Sequence, residues 1–324
     1  MKGIAVVLAL GACHSPSPAA TGDDDVIMID AAIDAPPPYT GPCGTRGGMH
    51  GKTSRKVNVG GVDRTYIVYL PDVDPKTPIP FVGVFHGYTM SGQNMYDSTE
   101  YAALADSEHI AVVFPDGEAG PGSLGAPWNV GANVCPSLLG PPPVATGDDF
   151  AFFDAMKADV AADQCLDDDH VFVTGFSMGG YFSHHTGCMR TDVRAVAPHS
   201  GGTHVLDDCP SVHKPVIMFH GLSDPVIPDG CDDPSGNTPS GYTAAATMWA
   251  QHNGCSTTVT TQTVTMGTCS YYDGCPVDGQ VAVCTFTNMG HCWAGGPASA
   301  GVYACPGYEK ATQLEWGFFK QYAW

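Results

Sequence analysis

The chain of 324 residues is short of positive charge: 13 Lys and Arg stand against 33 Asp and Glu, for a formal net charge of −20, and the cations form no cluster. Binding to nucleic acid or to an anionic membrane surface is driven largely by Lys and Arg, so neither is an expected partner. Long apolar runs are scarce too. The run near the start, residues 4–10, is too short to span a bilayer. There is no Cys-x-x-Cys pair of the kind that holds zinc. The acidic stretch Asp229-Gly230-Cys231-Asp232-Asp233-Pro234-Ser235-Gly236 lacks the alternate-position ligands and terminal Glu of a calcium loop. No metal and no cofactor is therefore expected, and no internal repeat is found.

Cysteine, by contrast, is plentiful. Lys2 precedes the short apolar run, which ends in Leu10-Gly11-Ala12-Cys13. This end resembles the lipobox of bacterial lipoproteins, in which the Cys becomes the lipidated first residue of the mature chain; the alternative is a plain cleavable signal with a chance Cys. Residues 1–12 are thus read as a signal peptide and Cys13 as a lipidation site, with the protein extracytoplasmic, either secreted or lipid-anchored to the cell envelope. Thirteen cysteines less Cys13 leave twelve, an even number that suits full pairing in an oxidising compartment. Twelve cysteines permit far too many pairings to deduce, but three local pairs are put forward: Cys188 with Cys209, Cys292 with Cys305, and Cys255 with Cys275. Residues 13–42 are rich in Pro, Ala, Ser and Asp, including Asp23-Asp24-Asp25 and Pro36-Pro37-Pro38. Such a segment cannot bury a core and reads as a disordered tether. Residues 43–324 form the expected folded domain, which is expected to act as a monomer.

Within that domain buried strands alternate with helices. Arg64-Thr65-Tyr66-Ile67-Val68-Tyr69-Leu70 alternates as a strand should and Pro71 ends it. Residues 81–85, 110–114, 216–219 and 281–286 read as buried strands, and 257–265 as a Thr- and Val-rich one. Residues 93–109, 148–164, 243–253 and 308–322 read as helices, the second capped by Asp148 or Asp149. This alternation implies an α/β fold with a mostly parallel sheet covered on both faces. Residues 118–147 form a long irregular stretch rich in Gly and Pro that contains Trp128 and Cys135. Loops of that length in a compact domain carry function or act as lids.

The stretch Val171-Phe172-Val173-Thr174-Gly175-Phe176-Ser177-Met178-Gly179-Gly180 reads as strand, sharp turn, helix, with a lone Ser in the pattern Gly-x-Ser-x-Gly. That pattern is the nucleophile elbow. Its glycines let the strained turn approach the flanking strand and helix, and the turn lifts the hydroxyl of Ser177 above the sheet edge. The N–H of Met178, at the helix start, is placed to stabilise an oxyanion. An activated Ser needs a base, and the base an orienting acid, in the chain order Ser, Asp or Glu, His. Asp224 follows the strand at 216–219, and His291 follows the strand at 281–286. Asp229 is the rival acid, and His220 is read as support for the acid's loop. His199 is assigned to a loop. The second oxyanion donor is expected from His86-Gly87-Tyr88-Thr89, with the N–H of Tyr88 preferred and Thr89 next.

Taken together, Cys43-Gly44, the strand from Arg64 to Pro71, His86-Gly87, Pro115-Asp116-Gly117, Asp148-Asp149, the elbow, His220-Gly221 with Asp224, Asn253-Gly254-Cys255 and Gly290-His291-Cys292-Trp293 resemble the feruloyl esterase and polyhydroxybutyrate depolymerase family of α/β-hydrolases. The resemblance covers nearly everything from Cys43 to the C-terminus. It implies an extracellular carboxylic ester hydrolase with Ser177, Asp224 and His291 as its triad. The chain departs from the family at Met178, where Asn is frequent, and at Cys292, where Ser is usual.

Trp128 in the long loop and Trp293 beside the base are expected to line a cleft, with Tyr88 and Thr89 at its oxyanion edge; the alternative is that both Trp are core residues. Aromatic walls favour flat or apolar acyl groups, and no apolar run is long enough for a lipase lid. The expected substrate is therefore an aryl or short-chain ester, on polysaccharide or polyester. A triad alone does not choose its acyl acceptor, so an acyltransferase or a peptidase on the same fold stays open, as does a non-catalytic binding lipoprotein.

Overall fold

The computed structural model describes residues 43 and 46–323, apart from residues 121–122, 132–133, 135–139, 141–142, 144, 146, 204–205, 207, 228 and 230–240. The expected signal peptide, Cys13 and the tether lie outside the described residues, as do Cys135, Cys231 and nearly all of the acidic stretch 229–236.

Among the described residues a ten-stranded sheet organises the domain, in the order β1-β2-β4-β3-β5-β6-β7-β10-β9-β8. Its middle is parallel: β4 (Ala111–Pro115), β3 (Ile79–Phe85), β5 (Leu166–Phe176), β6 (Ala195–His199), β7 (Val216–Gly221) and β10 (Val281–Phe286). Antiparallel pairs extend both edges, β1 (Gly51–Val59) with β2 (Val62–Leu70) on one side and β9 (Gly267–Tyr272) with β8 (Val259–Val264) on the other. Strands β3, β4, β6 and β7 are buried throughout, as strands covered on both faces must be.

Two apolar layers result, and alternate residues of one strand divide between them. Val171 and Val173 of β5 join Phe152, Phe153, Phe182 and Trp249, from α3 (Asp149–Ala161), α4 (Met178–Met189) and α5 (Gly241–His252). Phe172 and Phe176 join Met95, Leu104, Trp316 and Phe319, from α1 (Gly92–Thr99), α2 (Tyr101–Glu108) and α6 (Ala311–Phe319). This is the α/β-hydrolase arrangement, with helices on both faces of a mostly parallel sheet.

Two local readings are corrected, and a strand not read from the sequence appears. The single helix expected over 93–109 is two short helices, because Glu100 takes a left-handed conformation at φ 59° between them. The polar strand β1 carries too few apolar residues to announce itself. His199 sits at the end of strand β6 and not on a loop; that strand is only five residues long and contains Pro198. Five disulfides form among the described residues: Cys43–Cys165, Cys269–Cys284, Cys188–Cys209, Cys255–Cys275 and Cys292–Cys305. The last three join the cysteines singled out as local pairs in the sequence. Such a set belongs to an oxidising, extracytoplasmic compartment. Among the described residues no helix is long and apolar enough to cross a membrane.

Candidate active site

Strand β5 ends at Phe176 and α4 begins at Met178, so Ser177 alone makes the turn, at φ 55° and ψ −116°. A non-glycine residue holds such a conformation only when its surroundings enforce it. Here the Ser177 N–H donates to His199 O at 2.9 Å, and the Tyr181 N–H donates to Ser177 O at 3.0 Å. The elbow glycines are close-approach residues: a Cβ on Gly179 would lie 2.1 Å from Phe85 O, and one on Gly175 would lie 2.5 Å from Gly179 O. Met178 is the first residue of α4, where a backbone N–H has no acceptor within its own helix.

The loop after β3 runs beside this turn. A Cβ on Gly87 would come within 3.1 Å of Ser177 Cβ, so the backbone at 87–88 passes directly by Ser177. His86 fixes the loop from beneath. Its Nδ1 donates to Gly87 O at 2.7 Å and its Nε2 accepts from the Gly117 N–H at 2.9 Å. Burial pushes its pKa down to about 4, so it stays neutral and keeps an acceptor nitrogen. Ala126 N–H donates to Tyr88 O at 2.9 Å, and the Tyr88 hydroxyl meets Ser123 Oγ at 3.0 Å. Thr89 is exposed beside them. Residues 123–126 therefore form a strap that clamps the loop at Tyr88.

Asp224 and His291 come from the loops after β7 and β10, which lie side by side: Leu222 N–H donates to Phe286 O and Ser223 N–H to Met289 O, both at 2.9 Å. His291 Nδ1 donates to Asp224 Oδ2 at 2.7 Å. The other carboxylate oxygen, Oδ1, accepts from the N–H groups of Val226 at 2.8 Å and Ile227 at 3.0 Å. Burial alone would raise the Asp224 pKa, but the hydrogen bond from His291, its charge and the Ile227 N–H hold it below the usual carboxylate range. With Nδ1 engaged, Nε2 of His291 is the nitrogen left for a nucleophile. The imidazole packs on the Phe176 ring, centroids 4.7 Å apart, one residue before Ser177. The structure thus gathers the ends of β5, β7 and β10 at one edge of the sheet.

His220 Nε2 donates to Ile227 O at 2.7 Å and holds the acid's loop. Asp229, the rival acid, is exposed and accepts from the N–H and hydroxyl of Thr243 instead. Cys292 and Cys305 bridge the chain immediately after His291.

The expectation that Trp128 and Trp293 line a cleft is overturned, since their exposures are 0% and 1%. Trp128 packs edge-on against Phe85, and its Nε1 donates to His86 O at 2.8 Å. Trp293 stacks on His199, and its Nε1 donates to Thr312 Oγ1 at 3.2 Å. Both indoles have a polar partner and an aromatic wall inside the protein, so they build the floor behind the site. Sequence reasoning also missed the pair Arg64 and Asp149, both almost fully buried and joined at 2.9 Å. Asp149 accepts the Asn129 N–H as well, which ties down the Trp128 segment. The Asp148-Asp149 doublet was the available signal, but it reads equally well as a helix cap.

Feruloyl esterase B of Piromyces equi is 26% identical over 255 residues, which cover 75% of this chain and 42% of that protein. Feruloyl esterase C of Emericella nidulans is 32% identical over 207 residues, 60% of this chain and 64% of that protein. The chain spans less than two thirds of the length of these two curated relatives. Among solved structures, the acetyl xylan esterase from Aspergillus awamori superposes with a TM-score of 0.56 at 15% identity, covering 82% of this chain and 99% of the other; that likeness concerns the fold alone. No protein-family model matches the chain.

Proposed function

We propose that this feruloyl-esterase-like α/β-hydrolase is a serine carboxylic ester hydrolase, acting outside the cytoplasm on aryl or short-chain esters through an acyl-enzyme. The observation that carries this reading is the 2.7 Å bond from His291 Nδ1 to Asp224, set beside a Ser177 held at φ 55°. In the proposed reaction Ser177 Oγ attacks the ester carbonyl carbon and its proton passes to His291 Nε2. The backbone N–H groups of Met178 and Tyr88 receive the oxyanion. Collapse of the tetrahedral adduct breaks the C–O bond, and the departing alcohol takes the proton from His291. Water repeats the sequence and releases the acid. Asp224 stays ionised throughout, orienting the imidazole and stabilising its cation.

The substrate class rests on the named activities of the sequence relatives and on Tyr88 and Thr89 at the rim. With both indoles buried, it does not rest on tryptophan walls. Feruloyl groups on polysaccharide and short polyhydroxyalkanoate segments are the proposed natural esters. The proposed anchor is a lipid on Cys13, joined to the catalytic domain by the tether, which predicts that Cys13→Ala abolishes lipid labelling and membrane partitioning.

The test is a burst of p-nitrophenol from p-nitrophenyl acetate, abolished by a serine-directed phosphonate that labels Ser177. It is followed by kcat/KM for methyl ferulate, p-nitrophenyl butyrate and p-nitrophenyl palmitate. Absence of labelling at Ser177 would sink the mechanism, and a clear preference for palmitate would sink the substrate class. Competing water against alcohol or sugar acceptors separates hydrolysis from acyl transfer.

A further inference from the structure

We infer that His199 is a positioning residue that sets the distance between nucleophile and base. This rests on the reading of Ser177 and His291 given above. His199 ends β6 beside Phe176, its partner across the sheet, and is completely buried. It grips both halves of the site at once. Through its backbone, His199 O accepts the Ser177 N–H at 2.9 Å and so helps to hold the strained elbow. Through its ring, Nε2 accepts the Ala294 N–H at 3.1 Å, three residues after His291.

The acceptor role of Nε2 fixes the tautomer: Nδ1 carries the hydrogen and donates to Ser200 Oγ at 3.1 Å. Aromatic rings hold the imidazole flat. Trp293 stacks on it with centroids 4.7 Å apart and 21° between planes, Phe219 stacks at 5.8 Å, and Phe176 meets it edge-on at 5.6 Å. Phe176 in turn carries the His291 ring. Trp293 and Ala294 form β11, which pairs in parallel with β12 (Ala304–Cys305), and the Cys292–Cys305 disulfide closes the same segment. The base thus stands on a short stapled segment, and His199 links that segment to the elbow. A side chain in this place touches neither substrate nor reacting atoms, yet it decides whether Ser177 Oγ and His291 Nε2 meet. Misplacement by about 1 Å costs on the order of 10²-fold in rate.

The experiment compares wild type with H199F, which keeps a stacking ring and removes the acceptor, and with H199Q, whose amide oxygen reaches the position of Nε2. Each variant is assayed for kcat and KM on p-nitrophenyl butyrate and for the rate of phosphonate labelling at Ser177, alongside its melting temperature. H199F is expected to lose about 10- to 100-fold in kcat and in labelling rate with KM nearly unchanged, and H199Q to recover most of both. H199N supplies a second comparison should H199F not accumulate folded. Its shorter amide reaches the Nδ1 position only, so it should lose rate where H199Q keeps it. Equal rates in H199Q and H199N, or a folded H199F labelled as fast as wild type, would overturn the positioning role alone. A wild-type protein that the phosphonate does not label would overturn the hydrolase reading and this inference with it.

Discussion

Replacing Asp224 by Asn separates what this carboxylate does for the base from what it does for the fold. The Asn carbonyl oxygen can still accept from Val226 and Ile227, the two N–H groups that Oδ1 now satisfies. Its amide, however, faces the His291 Nδ1–H that Oδ2 accepts at 2.7 Å. Donor would meet donor, so the imidazole must give up the bond or change tautomer. In the second case Nε2 carries the hydrogen and has no lone pair for the proton of Ser177. Triads of this kind lose about 10⁴-fold in kcat on such a change, or about 5 kcal/mol at 1.36 kcal/mol per decade.

The cost to folding is far smaller. One charge-assisted hydrogen bond is removed, about 1.5 to 3 kcal/mol, while two backbone bonds stay. Asp224→Ala should add roughly 1 kcal/mol for each backbone N–H left without its acceptor. The pH dependence follows from the lowered pKa of Asp224. A carboxylate whose folded pKa lies below its unfolded value of about 3.9 stabilises the protein above that value and loses the contribution as pH falls through the folded pKa. Wild type should therefore lose stability on acidification more steeply than Asp224→Asn. The assay is kcat on p-nitrophenyl butyrate paired with melting temperature across pH 3 to 8. A folded Asp224→Asn enzyme within tenfold of wild type would refute the assignment of the acid.

Three further outcomes are expected. Ser177→Gly should abolish ester hydrolysis and raise stability by about 1 kcal/mol, since glycine relieves the strain at φ 55°; a melting temperature below wild type would contradict this. Trp128→Ala and Trp293→Ala should each destabilise by about 3 to 5 kcal/mol as core truncations. Denaturant titration reads that loss, and a soluble, stable variant with an altered ferulate-to-butyrate ratio would restore the cleft-lining role. Glu315 is fully buried against the Tyr101 hydroxyl at 2.6 Å, and burial holds its pKa well above the usual range. Above the unfolded value of about 4.3 the folded state keeps a proton that the unfolded state has released, so stability falls as pH rises. Glu315→Gln should flatten that slope and melt higher than wild type at pH 8, and parallel curves for the two proteins would count against a protonated Glu315.

Much of this molecule is legible in its sequence wherever a constraint repeats along the chain. Continuous apolar runs of four or five residues at 81–85 and 216–219, each preceded by proline and followed by a His-Gly pair, read as strands covered on both faces, and the short motifs that follow them place Gly87 and Asp224 at the same sheet edge as Ser177. The glycines of the elbow are legible because their reason is steric and local. Legibility stops where a residue's role depends on which side of a wall it faces. Arg64 and Asp149 are 85 positions apart, and nothing along the chain says that they meet as a buried pair. His199 follows a proline in a five-residue strand and looks like loop, yet its backbone and its ring serve different partners.

The tryptophans teach the same lesson from the other direction. Trp128 and Trp293 lie near site residues in sequence, but an indole has a large apolar area and one donor, and a buried acceptor satisfies that donor as well as a substrate would. His86 O and Thr312 Oγ1 supply those acceptors inside the protein. The rings therefore support the loop after β3 and the segment after His291 from behind, and the proposed choice of ester rests on the rim. There Tyr88 stands with the strap residue Leu124, 91% exposed next to the Ser123 that meets the Tyr88 hydroxyl.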